Sequence, residues 1–228
     1  MGDVGSRIQE LAIFAPLLIF SLSFHEFAHA WSASKLGDET AARMGRLTLH
    51  PKAHIDLIGT IIFPLIAFLW HAPLIGWANP VPVNPLRFRR DITMSAGMAI
   101  TAAAGPIANL ILALVSAMVL TIVLLLLRAI GTDGGWLSGM VVTFFMQGVV
   151  LNVTLAVFNM IPVPPLDGSR ILRHMLPRQY QEAYDRLQSF GMLILYGIMF
   201  TGLLEYFFIP AEWLIRLILG VVGAAVGV

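Results

Sequence analysis

The sequence predicts an all-α polytopic membrane protein, and three observations carry that prediction. Hydrophobic residues make up 58% of the 228 positions and charged ones 12%, against roughly 25% charged in soluble domains. Several uncharged runs exceed the roughly 20 residues a helix needs to cross the hydrocarbon core. Basic residues gather in three connections between those runs instead of spreading along the chain. The net charge of +1, with no dense basic patch, argues against nucleic acid as a partner. There is no cysteine, so disulfides, iron–sulfur clusters and thiolate zinc sites are excluded. Any metal must be held by His, Asp or Glu.

The hydrophobic elements follow in order. Residues 11–34 hold one charge, Glu26, and read as a first span. Residues 57–70, "LIGTIIFPLIAFLW", form a shorter run broken by Pro64. Residues 96–127 are uncharged throughout, long enough to span with tilt. Residues 136–166 are uncharged too and end in "NMIPVPPLDG", where prolines must stop the helix. Two further candidates are 189–208 and 210–228, the latter starting after Pro210. The expected count is therefore five to six hydrophobic segments, in one membrane-embedded domain over 1–228.

Charge sets the topology. Three connections, at 35–52, 87–90 and 170–186, hold 11 of the 14 Lys and Arg residues. By the positive-inside rule all three face the cytoplasm. Residues 57–70 then do not cross simply. At 1.5 Å per residue that run is about 21 Å long, so it is expected to dip in and return, or to return as the extended "NPVPVNP" of 79–85. Non-helical backbone at that depth must be covered by protein or line a wet cavity. The first span runs inward, 96–127 outward and 136–166 inward. A signal peptide over 1–30 is the competing reading, but cleavage at Ala28-His29-Ala30 would destroy the pattern described next. The Asn152 sequon lies inside an apolar span and is read as unglycosylated.

His25-Glu26-Phe27-Ala28-His29 is H-E-x-x-H. On a helix, positions i and i+4 are offset by about 40°, so both imidazoles reach one ion. Glu26 lies about 100° away, placed to take a proton from a water at the metal. Ionisable groups at membrane depth cost several kcal/mol and mark function. His25 lies about 21 Å along the helix from Leu11, which puts the pattern towards the cytoplasmic face of a core about 30 Å thick. A catalytic zinc usually has three protein ligands. Candidates for the third are His50, His54, Asp56, His71, His174 and Asp167. Asp167 stands out, because parallel first and fourth segments would bring it to the same face as His29. The alternative for Asp167 is a loop carboxylate paired with Arg170.

H-E-x-x-H in a first hydrophobic helix and N-x-x-P-x-x-P-L-D-G downstream (Asn159, Pro162, Pro165, Leu166, Asp167, Gly168) together resemble the site-2 protease family of intramembrane zinc metalloproteases. "GRLTLHP" at 45–51, "HID" at 54–56, "GWANPVPVNP" at 76–85 and "AGPIAN" at 104–109 occur in the order of small bacterial members. The resemblance covers about residues 10–175, the expected catalytic core, with C-terminal helices over 189–228. No PDZ or CBS domain is recognisable. Departures are His50 where Asn is common, Asn79 where Lys is common, and Ser169 where Gly is common.

The resemblance implies one zinc per chain on His25, His29 and Asp167, with Glu26 as general base. It implies Asn159 as a substrate-binding or oxyanion-stabilising residue, a role that suits a preorganised donor. Substrates would be membrane proteins with a transmembrane helix. The location would be the bilayer of a bacterial cell (inner) membrane, with the site towards the cytoplasm. Leu47, Thr48 and Leu49 would lie on a β-like edge that pairs with an unwound substrate. Pro80 and Pro82 would border the substrate path. Gly105, Pro106 and Asn109 are read as close helix packing. The competing functions are a metal transporter, which would repeat acidic or His residues across several spans, and a scaffold that binds helices without cutting them.

Overall fold

The computed structural model describes residues 4–62, 65–66, 77–131 and 135–227. Seven helices of eight or more residues are found there, and the described residues contain no strand. They are α1 (Val4–Lys35), α2 (Met94–Ile130), α3 (Gly135–Asn159), α4 (Asp167–Met175), α5 (Arg178–Leu187), α6 (Gly191–Phe200) and α7 (Leu204–Val226). Four of them, α1 from Gln9, α2, α3 and α7, are long and apolar enough to cross a bilayer.

Helix α2 shows how sequence sets orientation in this bundle. Thr93 caps its start, its Oγ1 accepting from the Ala96 N–H at 3.2 Å, and Gly131 ends it at φ +70°, a left-handed turn that glycine adopts without strain. Along one side Ala102, Ala108, Ala113 and Ala117 are buried. Along the other, Ile107, Ile111, Leu114, Met118, Ile122 and Leu125 are exposed. Small residues let neighbouring backbones approach closely, while large apolar ones at three- and four-residue spacing face lipid. Leu120, Val149, Val153, Ala211 and Val222 complete the core that α2 shares with α3 and α7.

Contacts at successive levels fix the helix directions. Gly148 of α3 lies against Ser116 of α2 and Leu17 of α1. Next comes Asn109, bonded to both Asn152 and His25, and then Thr101 with His29. Residue numbers rise along α1 and α3 while they fall along α2, so α1 and α3 are parallel and α2 antiparallel, as charge and parity predicted. Phe158 stacks on Phe208 and the Arg128 guanidinium donates to the Val226 carbonyl, so α7 runs with α2.

The two ends of the 57–77 stretch are described. Leu57–Ile62 form a π-helical turn, and Asp56 Oδ1 accepts from the N–H groups of Ile58 and Gly59 at its start. The Asn79 N–H donates to the His54 carbonyl at 2.8 Å, and that of Trp77 to Gly59. Thr60 Oγ1 also donates to the Trp77 carbonyl. Residues 77–79 therefore lie beside residues 54–60. The stretch in between, including Pro64 and the candidate ligand His71, lies outside the described residues. Cysteines placed singly at Lys52, Leu86 and Ile130, all exposed, test this layout in a chain that has none of its own. The first two are expected to react with an impermeant reagent from one side of the membrane and the third from the other. Labelling of 52 and 86 from opposite sides would overturn the arrangement.

Three expectations are corrected. Segment 189–208 is not one helix: α6 ends at Phe200, and a turn through Gly202 (φ +75°) separates it from α7. At ten residues, α6 is about 15 Å long, too short to cross. Pro210 does not begin the last helix but sits inside it. Residues 45–50 form no strand, because their polar groups bond locally. The His50 N–H donates to Thr48 Oγ1, His54 Nε2 bonds the Thr48 carbonyl, and the Arg46 guanidinium donates to the carbonyls of Asn79 and Pro80.

After α3 a proline turn with a cis Pro164–Pro165 bond leads to Asp167. The Tyr184 hydroxyl donates to the Pro162 carbonyl at 3.0 Å. Arg173 of α4 grips Asp185 of α5 through two bonds of 2.6 and 2.7 Å. Hydrogen bonding from Arg173 holds the Asp185 carboxyl below its ordinary value. A depressed carboxylate pKa contributes stability above the unfolded value near about 3.9, lost as pH falls through the folded value. Both side chains are about one-third exposed (34% and 37%), so solvent screening limits the pair to less than about 1 kcal/mol. Asp185→Asn is expected to melt slightly earlier than wild type in detergent at neutral pH. The difference should close in acid, once pH falls below the folded value.

Candidate metal centre

His25 and His29 lie one helical turn apart on α1, their ring planes nearly perpendicular. Their Nε2 atoms stand 3.0 Å apart, and each is 3.2 Å from Asp167 Oδ2. All three residues are buried. Asp167 opens the first turn of α4 and faces the imidazoles, not Arg170. Among the described residues this is the one group of three His, Asp or Glu side chains arranged to hold a metal ion.

The donor set fits a cation. His29 Nδ1 bonds the Thr101 backbone carbonyl at 2.7 Å. A carbonyl only accepts, so the ring proton sits on Nδ1 and Nε2 presents a lone pair. His25 Nδ1 meets Asn109 Oδ1 at 2.6 Å in the matching arrangement. Asp167 Oδ2 has no hydrogen-bond partner although it is buried. Three electron-rich atoms thus face one another at 3.0–3.2 Å. Ligands about 2.0–2.1 Å from a tetrahedral zinc stand roughly 3.3 Å apart, so the triangle matches the edge such an ion needs.

Space for an ion is kept by Gly105. A Cβ there would lie 2.5 Å from His29 Nε2 and 2.6 Å from His25 Nε2. The packing role expected for Gly105 is thus correct but incomplete. Pro106, which follows it, has no N–H and leaves the Ala102 carbonyl without its usual helical donor. That loosened turn is where the adjacent Thr101 carbonyl takes its bond from His29.

Glu26 is also buried, and its Oε2 accepts from the Val81 N–H at 2.9 Å. The extended 79–84 segment is held beside it by Asp38, fully buried, whose Oδ2 accepts from the Asn84 N–H at 2.6 Å. Asp38 carried no sequence signal beyond a charge at the end of a span. Leu47 packs with Ala30, Ala41 and Val81, near the carboxylate. Thr48 and Leu49 belong to the locally bonded loop, with Leu49 exposed. Pro80 is exposed and Pro82 half-buried. Asn159 stands at the end of α3, its amide donating to the Leu155 carbonyl at 3.0 Å, and no hydrogen bond ties it to the triad.

The other candidate ligands lie elsewhere. His54 is buried in the loop knot, Asp56 caps the π turn, His50 accepts from the Lys52 N–H, and His174 pairs with Ser95. Hydrogen bonds tie Asn109, read from sequence as helix packing, to His25 and Asn152 to Asn109, a connection that sequence reasoning missed. Their signal was an amide in mid-span on each of two apolar helices, alone on α2 and beside Gln147 and Asn159 on α3. An apolar crevice of about 450 Å³ between α2, α3 and α7, walled by Ala103, Pro106, Ala156 and Pro210 among others, contains none of the triad.

The profile described as Peptidase family M50 matches residues 130–202, the stretch that carries Asp167. YwhC of Bacillus subtilis (strain 168), named as a proposed zinc metalloprotease, is 36% identical over 195 residues, 85% of this chain and 82% of that protein. Rip2 of Mycolicibacterium smegmatis, named in the same terms, is 30% identical over 86% of this chain and 70% of its own length. Rip2 of Mycobacterium tuberculosis (strain H37Rv) is 27% identical over 93% and 79%. No solved structure matches. Four apolar helices and a buried His-His-Asp group stand beside relatives similar over most of their length, and the chain belongs to peptidase family M50, the site-2 protease family of zinc metalloproteases.

Proposed function

We propose that this integral membrane zinc metalloprotease cleaves a peptide bond within or beside a transmembrane segment of a membrane-protein substrate. His25, His29 and Asp167 hold one zinc per chain, and Glu26 is the general base. The observation that carries the reading is the buried triad itself, two of whose members stand on a helix long and apolar enough to span the membrane. Zinc bound there would polarise the scissile carbonyl and bring the pKa of a water near 7.

The chain's own residues do the rest. Glu26 takes the proton of the attacking water and delivers it to the leaving amine. The Val81 N–H, on one carboxylate oxygen, fixes its direction. A helical substrate must unwind locally, because its carbonyls are hydrogen-bonded and shielded. Asn159 uses one amide hydrogen on Leu155 and keeps the second for the oxygen that gains negative charge. Leu47, Thr48, Leu49, Pro80 and Pro82 border the substrate path. The triad lies at the bundle end that carries 11 of the 14 basic residues, which supports a site towards the cytoplasm. The bacterial relatives support the bacterial cell membrane as the location. Residues 10–175 form the catalytic core of a single domain spanning 1–228.

The test is the purified chain in bilayers with a substrate carrying one transmembrane helix, its products mapped by mass spectrometry. A scissile bond within or next to the hydrophobic segment is expected, with one zinc per chain. Cleavage confined to soluble loops would overturn the reading.

A further inference from the structure

Two asparagines lie buried in spans that contain no charge: Asn109 is 0% exposed and Asn152 1%. A buried amide in an apolar setting costs several kcal/mol unless all its polar atoms are bonded. Here they form one chain. The Asn152 amide nitrogen donates to the Gly148 carbonyl at 2.9 Å. The Asn109 amide nitrogen donates to Asn152 Oδ1 at 2.9 Å, and Asn109 Oδ1 meets His25 Nδ1 at 2.6 Å.

The direction of that chain is set at its far end. The Gly148 carbonyl can only accept, so Asn152 must point its NH2 there and its oxygen at Asn109. Asn109 must then point its own NH2 at Asn152 and its oxygen at His25. A second acceptor on the same side of Asn109, the Ser21 carbonyl at 3.5 Å, favours the same orientation. With an oxygen against Nδ1, His25 carries its proton there and offers the Nε2 lone pair towards His29 and Asp167. A flipped Asn109 would present NH2 instead, move the proton to Nε2 and close that nitrogen to a metal.

We infer that Asn109 and Asn152 form a positioning relay that locks His25 in its metal-binding tautomer, with Asn152 acting only through Asn109. His29 needs no relay, because its partner is the Thr101 backbone carbonyl, which cannot flip. One imidazole is thus set by main chain and the other by two amides read from α2 and α3. The inference rests on the metal-site reading above and deepens it. It also gives α3 a part in the site separate from the turn that delivers Asp167.

The test is zinc affinity of the full chain in detergent, measured by competition with a chromophoric chelator, with fold checked by circular dichroism of the metal-free protein. Asn109→Leu is expected to weaken zinc binding by roughly 10- to 100-fold, the usual cost of losing the partner of a metal-bound histidine. Asn152→Leu should give a smaller loss in the same direction. Asn152→Asp, whose carboxylic acid in this apolar setting donates its O–H to the Gly148 carbonyl and accepts from Asn109 through its other oxygen, should bind no more weakly than wild type. The double variant Asn109→Leu/Asn152→Leu should match Asn109→Leu alone, whereas two independent packing defects would add. Equal affinity in wild type and Asn109→Leu would overturn the relay, as would additive losses in the double variant. If Asn109→Leu does not fold, the contrast between Asn152→Leu and Asn152→Asp decides, and equal losses in those two overturn the relay. A wild type without zinc affinity would overturn the metal-site reading itself and the relay with it.

Discussion

Glu26→Gln is expected to cut the cleavage rate by roughly 100- to 10,000-fold, the contribution of a positioned general base, while zinc content stays at the wild-type level. The separation follows from where the side chain is tied. Glu26 stands outside the group formed by His25, His29 and Asp167. Its carboxylate accepts a hydrogen bond from the Val81 N–H at 2.9 Å. A glutamine has the same shape, and its amide oxygen still accepts that bond, so the 79–84 segment keeps its anchor. What disappears is the ability to take a proton. Glu26→Ala is the poorer variant, since it strands a buried backbone N–H, which costs about 1–3 kcal/mol by itself. Cleavage of a transmembrane substrate and zinc per chain should be measured on the same preparations. Undiminished cleavage in Glu26→Gln would remove the carboxylate from the mechanism, and loss of zinc would make it a ligand.

The site was legible in sequence to the extent that side-chain chemistry repeats at a regular spacing. His25 and His29 share a face because four residues nearly complete a turn, and Asp167 reached them through a parity argument resting on eleven basic residues. Helix directions followed from the same charges. What stayed hidden has a common cause: it is made of backbone or of residues without a distinctive type. The Thr101 carbonyl has no sequence signal at all. A single Asn in an apolar run reads as packing until its partners are known. Gly202 divides 189–208, yet glycine is common inside membrane helices, so nothing local separates a break from a span. Pro210 misleads for the converse reason, because inside a bundle a neighbour can satisfy the groups a proline leaves open and the helix runs through it. The β-like edge expected at Leu47, Thr48 and Leu49 does not form, because side chains capture backbone groups that a strand partner would have used.

Gly105→Ala is expected to abolish zinc binding and activity in a protein that still folds. The added Cβ would lie 2.5 Å from His29 Nε2 and from His25 Cε1, and 2.6 Å from His25 Nε2. A metal ion would have to stand at about 2.0–2.1 Å from the same two nitrogens, so the methyl group competes for its place. The imidazoles have little room to withdraw, because Nδ1 of each is held at 2.6–2.7 Å by Asn109 and Thr101. Helix propensity acts in the opposite direction: alanine is favoured over glycine in a helix interior by roughly 0.5–1 kcal/mol. The variant should therefore keep its helical content while losing more zinc affinity than the roughly 10- to 100-fold of an outer-shell change. Gly139→Ala is the matched control, in α3 with nothing within 4 Å of an added Cβ, and should behave as wild type. Zinc affinity, circular dichroism and cleavage on the pair separate a blocked centre from a general packing defect. Wild-type zinc affinity in Gly105→Ala would show that the ion does not sit between the two histidines.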